Sequence, residues 1–202
     1  DIGNLVFDKR SYKDLDLGVD RRDRSPPSLL NGDRMYLTLE SAFKDMQEKG
    51  CLFSASDAAP QARGSPLSDD LEVHLTTTDI RGSPVALRLS DRVAYERRYK
   101  QSFRFQFPGS TTGEADADGD FSARNNPILA FAARCTSAFP FAFEPMTLAR
   151  LGELSPSARC PSSWAPFFPN LPPREVTDGR LAHRAFGDGG YLDNKPFSYV
   201  VD

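Results

Sequence analysis

The sequence predicts an α/β protein with long ordered loops, and three observations carry that expectation. Apolar residues recur at helical spacing after Asp33 and again after Pro127. They alternate at every second position in three short runs, beginning at Leu71, Val85 and Phe103. A last short run, Arg184-Ala185-Phe186, enters the glycine-rich turn Gly187-Asp188-Gly189-Gly190. Sixteen prolines among 202 residues keep the regular elements short.

Taken in order, residues 1–31 are polar and turn-rich, and Ser25-Pro26-Pro27-Ser28 reads as an extended, linker-like lead-in. The first helix has Asp33 as its cap, Met35, Leu39, Ala42, Phe43 and Met46 as its apolar stripe, and Gly50 as its stop. A loose segment, 54–68, leads to a strand with Leu71, Val73, Leu75 and Thr77 on one face and Glu72, His74 and Thr76 on the other. Asp79-Ile80-Arg81-Gly82 reads as a hairpin turn into Val85, Leu87 and Leu89, and Phe103, Phe105 and Phe107 as a third strand. Residues 108–124 have no periodicity and read as a mobile loop. Asn126-Pro127 opens a second helix carrying Ile128, Leu129, Phe131, Ala132 and Cys135, ending before Pro140. Six prolines over 155–174 read as a surface excursion, and Pro196 opens a helix cut by the chain end at Asp202.

Composition excludes several classes of function. The net charge is −3 and only Arg21, Arg22 and Arg24 cluster, so neither a nucleic-acid footprint nor a basic membrane patch is expected. Cys51, Cys135 and Cys160 are odd in number and lack metal-ligand spacing, so no metal site or disulfide framework is expected. Reduced thiols suit a cytoplasmic protein. The stretch from Pro127 to Phe143 is interrupted by Arg134 and Pro140 and is too short to span a bilayer. No signal peptide is visible at Asp1, and the missing initiating Met suggests a chain that begins inside a longer protein.

The most informative stretch is Phe186-Gly187-Asp188-Gly189-Gly190-Tyr191-Leu192-Asp193-Asn194-Lys195-Pro196. Its glycines are expected to allow positive φ and close backbone approach, holding Asp188 at a strand end, where open α/β sheets build ligand crevices. Asp-Gly-Gly alone is common in turns. The whole segment, however, resembles the catalytic-aspartate block of patatin-like phospholipases, in which Asp-Gly-Gly is followed by Asn-x-Pro. Leu75-Thr76-Thr77-Thr78-Asp79-Ile80-Arg81-Gly82-Ser83-Pro84 resembles that family's Thr-Asp strand and turn. Ala133-Arg134-Cys135-Thr136-Ser137-Ala138-Phe139-Pro140, within 127–145, resembles the helix ending in an Ala-Ser-x-Ala-x-Pro corner. The three blocks lie in family order over about residues 70–202, and the long loops are closer to bacterial patatin-related proteins than to plant patatins.

The resemblance implies a single, partial domain of a three-layer α/β/α fold. It also implies hydrolysis of phospholipid or other acyl esters, without a cofactor, by a Ser–Asp dyad in which Asp188 is the base. Gly189, Gly190, Asn194 and Pro196 would shape its turn. The carboxylate would take the serine's proton while a glycine-rich loop holds the oxyanion. No Gly-x-Ser-x-Gly occurs in the sequence. In the family that elbow and the oxyanion loop precede the matched region, so the nucleophile-bearing βα unit is expected to be missing and the chain alone to be inactive. Deprived of that unit, the Phe103–Phe107 strand and the Phe139–Phe143 corner would be left partly uncovered. The alternative is a non-catalytic, truncated module of this fold that binds lipid or a protein partner. An acyl ester substrate and peripheral membrane contact are the partners the resemblance implies.

Other candidates have plainer readings. Ser137 lacks the glycines of a nucleophile elbow and suits a helix-end hydrogen bond. Ser110 has its glycine at the wrong spacing, His183 reads as a surface or packing residue, and His74 as solvated. Glu114, Asp116, Asp118 and Asp120 lack the spacing and terminal Glu of a calcium loop. Phe139, Phe141 and Phe143 read as core packing, with an acyl-chain wall as the second possibility.

Overall fold

The computed structural model describes residues 28–53, 71–107, 119–155, 161–172, 175, 179–193 and 195–196. They form a mixed α/β body with three helices and one four-stranded sheet. The helices are α1 (Gly32–Phe53), α2 (Asn126–Thr136) and α3 (Leu148–Leu154). The strands are β1 (Leu71–Arg88), β2 (Val93–Phe107), β3 (Met146–Thr147) and β4 (Ala185–Asp188), in spatial order β2-β1-β4-β3. Every pairing among the described strands is antiparallel.

The three alternating runs make two long strands, not three short ones. Asp79-Ile80-Arg81-Gly82 is a bulge inside β1: the register passes from Thr78↔Lys100 to Ser83↔Arg98, so four residues of β1 oppose Tyr99. Two local features produce it. The Asp79 Oδ1 atom accepts the Arg81 N–H at 3.0 Å, and Gly82 adopts φ +69. The hairpin reverses later, where Leu89 N–H donates to the Arg92 carbonyl at 2.9 Å.

The sheet packs against α2, a helix buried on nearly every side, and α2 in turn packs on α1. Pro127 in its first turn and the run Ile128-Leu129-Ala130-Phe131-Ala132 account for both its start and its central place. Phe103 of β2, Phe131 of α2, Phe168 and Phe186 of β4 form one aromatic cluster, with ring centroids 5.0–6.0 Å apart. Phe105, in the same core, packs on Phe167 with ring centroids 5.0 Å apart. Phe103 and Phe105 are completely buried, contrary to the expectation that their strand would be left open.

Four other expectations are corrected. The helix cap of α1 is Asn31, whose Oδ1 accepts the Arg34 N–H at 3.0 Å, while Asp33 pairs with Arg150. Its buried face carries Tyr36 and Leu37, with Leu39 and Phe43 packed beside them, so Ala42 and Met46 face outward. The proline-rich segment is no surface excursion: Trp164, Phe167, Phe168 and Leu171 are buried in the core. Prolines end regular elements, but they do not decide which side chains point inward. The lead-in also ends sooner, since Leu30 N–H donates to the Ala142 carbonyl at 2.8 Å. Residues 1–27, most of the 108–124 segment (with Ser110, Glu114, Asp116 and Asp118), Cys160, Asn194 and the helix expected after Pro196 lie outside the described residues. Within the remainder of that segment, Phe121 packs on the core and Asp120 accepts the Gln106 N–H at 2.8 Å.

Candidate functional site

The geometry around Asp188 begins with backbone pairing. β4 lies beside β1 in the register Thr77↔Asp188, Thr78↔Gly187 and Asp79↔Phe186. Two hydroxyls reinforce it: Thr77 Oγ1 donates to the Gly187 carbonyl at 2.6 Å and Thr78 Oγ1 to the Asp188 carbonyl at 2.8 Å. On the other edge, Met146 and Thr147 of β3 pair with Phe186 and Ala185. Asp188 is thus the last residue of a strand clamped from both sides, and the aromatic ring two residues before it sits in the core.

Beyond Asp188 the chain makes a single tight turn, Gly189–Tyr191, closed by Leu192 and Asp193 N–H groups on the Gly189 carbonyl at 3.1 and 2.8 Å. Asp188 Oδ1 accepts the Gly190 N–H at 2.7 Å and so caps this turn. The carboxylate is half-buried, and among the described residues its Oδ2 has no partner. Such a carboxylate is held in place by one oxygen and leaves the other able to accept a proton.

The glycines after Asp188 do not act through positive φ, contrary to the expectation from sequence. Positive φ is found at Gly82, Gly119 and Gly179, and neither Gly189 nor Gly190 adopts it. Close approach is what Gly189 supplies. A Cβ there would lie 2.3 Å from Thr76 Oγ1 and 2.5 Å from the Thr76 backbone. Gly187 similarly admits the Tyr191 ring, 3.1 Å from where its Cβ would stand. Gly190 is exposed and contributes its N–H. Pro196 is half-buried.

The three sequence blocks meet here. The Thr-Asp block is the part of β1 that pairs with β4, and α2 contacts β1, β4 and the turn after Asp188. The block's corner leads through Pro145 into β3, and Pro145 Cγ is 3.9 Å from the Gly187 Cβ position.

A buried ionic network, missed from sequence, lies under the same strand. Asp79, in the bulge, and Arg184, just before β4, are 0% and 3% exposed and paired through Oδ2 and Nη1. Arg184 Nη1 also donates to Ser83 Oγ at 2.9 Å, and its Nη2 to Glu175 Oε2 at 2.5 Å. The Asp-x-x-x-Ser spacing offered a local signal, but the partner Arg184 is about a hundred residues away. Arg134 was missed similarly. Fully buried at the end of α2, it donates to the Gly32 and Glu144 carbonyls at 3.2 and 3.0 Å and lies 4.6 Å from the Phe143 ring centroid.

Other candidates are placed plainly. Ser137 Oγ donates to the Ala133 carbonyl at 2.8 Å, the expected helix-end bond. His183 is exposed. His74 is not merely solvated, since its Nε2 lies 2.5 Å from Glu72 Oε1. Phe139 and Phe141 are not core residues, being 64% and 92% exposed, whereas Phe143 is half-buried. No group of His, Cys, Asp and Glu that could hold a metal exists among the described residues, and no described helix is long and apolar enough to cross a membrane.

Comparison of the chain with family models, with curated proteins and with solved structures finds no match.

Proposed function

We propose that this chain carries the aspartate half of a patatin-like acyl ester hydrolase, with Asp188 as general base. The supporting observation is the convergence of the three blocks. The segment around Thr77, helix α2 and the segment around Asp188, far apart in sequence, meet around one strand whose final residue is a carboxylate with one oxygen tied to Gly190. Turn statistics explain Asp-Gly-Gly by itself, but they give no reason for the other two blocks to surround it. The resembled three-layer α/β/α arrangement belongs to this proposal. The described antiparallel sheet, with α2 and α1 stacked on it, would be one part of it.

In the proposed reaction, a serine hydroxyl outside these residues attacks the ester carbonyl while Asp188 Oδ2 takes its proton. Backbone N–H groups of a glycine-rich loop stabilise the oxyanion. Collapse of the tetrahedral adduct expels the alcohol, which recovers the proton from Asp188. Water then repeats the sequence on the acyl-enzyme. The substrate class is a phospholipid or other lipid ester.

One observation favours the second reading, a non-catalytic module of this fold that binds lipid or a protein partner. The described residues already pack into one core around Phe103, Phe105, Phe131 and Phe186, and Ser137 is engaged in a helix-end bond.

The coding sequence upstream of Asp1 separates the two readings. A glycine-rich loop and a Gly-x-Ser-x-Gly after a strand are expected there. The protein containing them should hydrolyse short- and medium-chain esters and be blocked by a serine reagent, and residues 1–202 alone should not. Serine-reagent-sensitive turnover by residues 1–202 would overturn the divided dyad and make Ser137 the first residue to test. An in-frame start without those motifs would favour the module.

A further inference from the structure

Residues 81–100 gather a charge that the chain as a whole lacks. Arg81, Arg88, Arg92, Arg97, Arg98 and Lys100 stand against Asp91 and Glu96, in a protein whose net charge is −3. In linear sequence these cations look scattered. The hairpin brings them together, because beyond the Asp79–Gly82 bulge β1 and β2 leave the sheet as a two-stranded arm whose residues are almost all exposed.

The register sorts the arm into two faces. Residues directly opposite share a face, so Pro84, Ala86 and Arg88 lie with Arg97, Tyr95 and Val93. That face contains no carboxylate. Tyr95 is 75% and Val93 54% exposed. Tyr99 continues the same face, and both its ring and the Arg97 stem come within 2.8 Å of the Cβ position of Gly82, so the bulge glycine seats them. Among the described residues, no acidic side chain pairs with Arg88 or Arg92. Leu89, at the reversal, is 48% exposed.

We propose that this β1–β2 arm is a docking element that lays its Arg88–Tyr95–Arg97 face on an anionic phospholipid bilayer. The proposal stands on the arm alone and does not rest on the hydrolase reading. Arginine guanidinium groups match phosphate oxygens while their stems lie along apolar surface. Tyrosine is amphipathic and suits the headgroup level, where one end is wet and the other apolar. An exposed aliphatic side chain on this face decides against nucleic acid. Val93 gains nothing from a phosphate backbone, but it gains burial at an acyl boundary. A negative leaflet also complements the arm's charge, whereas the acidic remainder of the molecule would be held away from it.

The test is flotation of the 202-residue protein with vesicles of phosphatidylcholine, with and without phosphatidylserine, because aggregates do not float. The protein should float with the phosphatidylserine vesicles, not with phosphatidylcholine alone, and high salt should release it. Each cation at an anionic surface is worth about fivefold in partitioning, so Arg88→Gln with Arg97→Gln should lower it by about 25-fold. Both side chains are exposed, so the melting temperature should not change. Tyr95→Ser should weaken binding separately. Flotation that is absent, or unaltered in the double variant, would overturn the proposal. Tyr95→Ser binding at the parental level would mean simple adsorption and overturn the docked face. Tighter binding of a single-stranded oligonucleotide at the same salt would assign the arm to nucleic acid instead. An arm-dependent dimer seen by light scattering without lipid would assign it to a second copy.

Discussion

Asp79 and Arg184 form an ion pair inside the molecule, joining the bulge of β1 to the residue that precedes β4. Because Asp79 stands opposite Phe186, this pair fixes the height at which β4 meets β1, and therefore the position of Asp188 two residues later. Removing one member of a buried pair strands the other charge away from water. Arg184→Leu should therefore lower unfolding free energy by about 3–5 kcal/mol in denaturant titrations, and Asp79→Asn by less, since Glu175 still pairs with Arg184. An Arg184→Leu effect below about 1 kcal/mol, typical of an exposed pair, would contradict the burial described.

The two glycines after Asp188 should respond differently. A methyl group at Gly189 collides with backbone and Oγ1 atoms of Thr76, so Gly189→Ala should cost about 1–3 kcal/mol. Gly190 is exposed and does not adopt positive φ, so Gly190→Ala should stay within about 1 kcal/mol. Thermal melts of the two variants side by side check the contrast.

Cys135 is completely buried on α2, and that burial pushes its thiol well above the usual range. A thiolate is what reacts with alkylating and disulfide reagents. Cys135 should therefore resist iodoacetamide in the folded protein and label only on unfolding, as read by peptide mass spectrometry at this one residue.

At the free end of the sheet, Glu72 is held by Arg104, then Gln106 and His74, which lowers its carboxyl to about 2. Lowered in the folded state, the group contributes stability above the ordinary carboxylate range and loses it as pH falls through about 2. Carbon-detected NMR titration should place the Glu72 midpoint near that value. The Glu72→Gln protein should lack this acid-dependent step.

Much of the fold was legible where local chemistry decides it. Pro127 with the apolar run after it predicted α2, and alternation around Leu75 and Phe105 predicted strands that exist. Residues 146–154 carried no reading, because β3 has two residues and α3 only seven. The bulge reads as a turn from sequence, since an Asp followed three residues later by Gly suits either one. Only pairing with distant Lys100 and Arg98 distinguishes them. The same limit hid the Asp79–Arg184 pair and the basic arm, both made by residues that become neighbours only through long-range pairing. At the candidate site, the strand-end turn at Asp188 is legible from its motif, while the Thr77 and Thr78 hydroxyls that hold its strand are not. Phe139 and Phe141 show the converse error, because hydrophobic side chains at a corner carry no local mark of which way they face.

The most direct test of the central claim is kcat/KM for a medium-chain chromogenic ester in the protein that supplies the nucleophile, comparing Asp188→Asn with Asp193→Asn. Asparagine can still accept the Gly190 N–H, so Asp188→Asn keeps the turn and removes the base. Asp193 lies five residues on and pairs with Lys100 at 2.8 Å, which makes it the control for general disturbance of this segment. Asp188→Asn should lose about 10²–10⁴-fold in kcat/KM with little change in melting temperature. Asp193→Asn should remain near the parental rate. Asp188→Asn turning over the ester at the parental rate would contradict the assignment of Asp188 as the base.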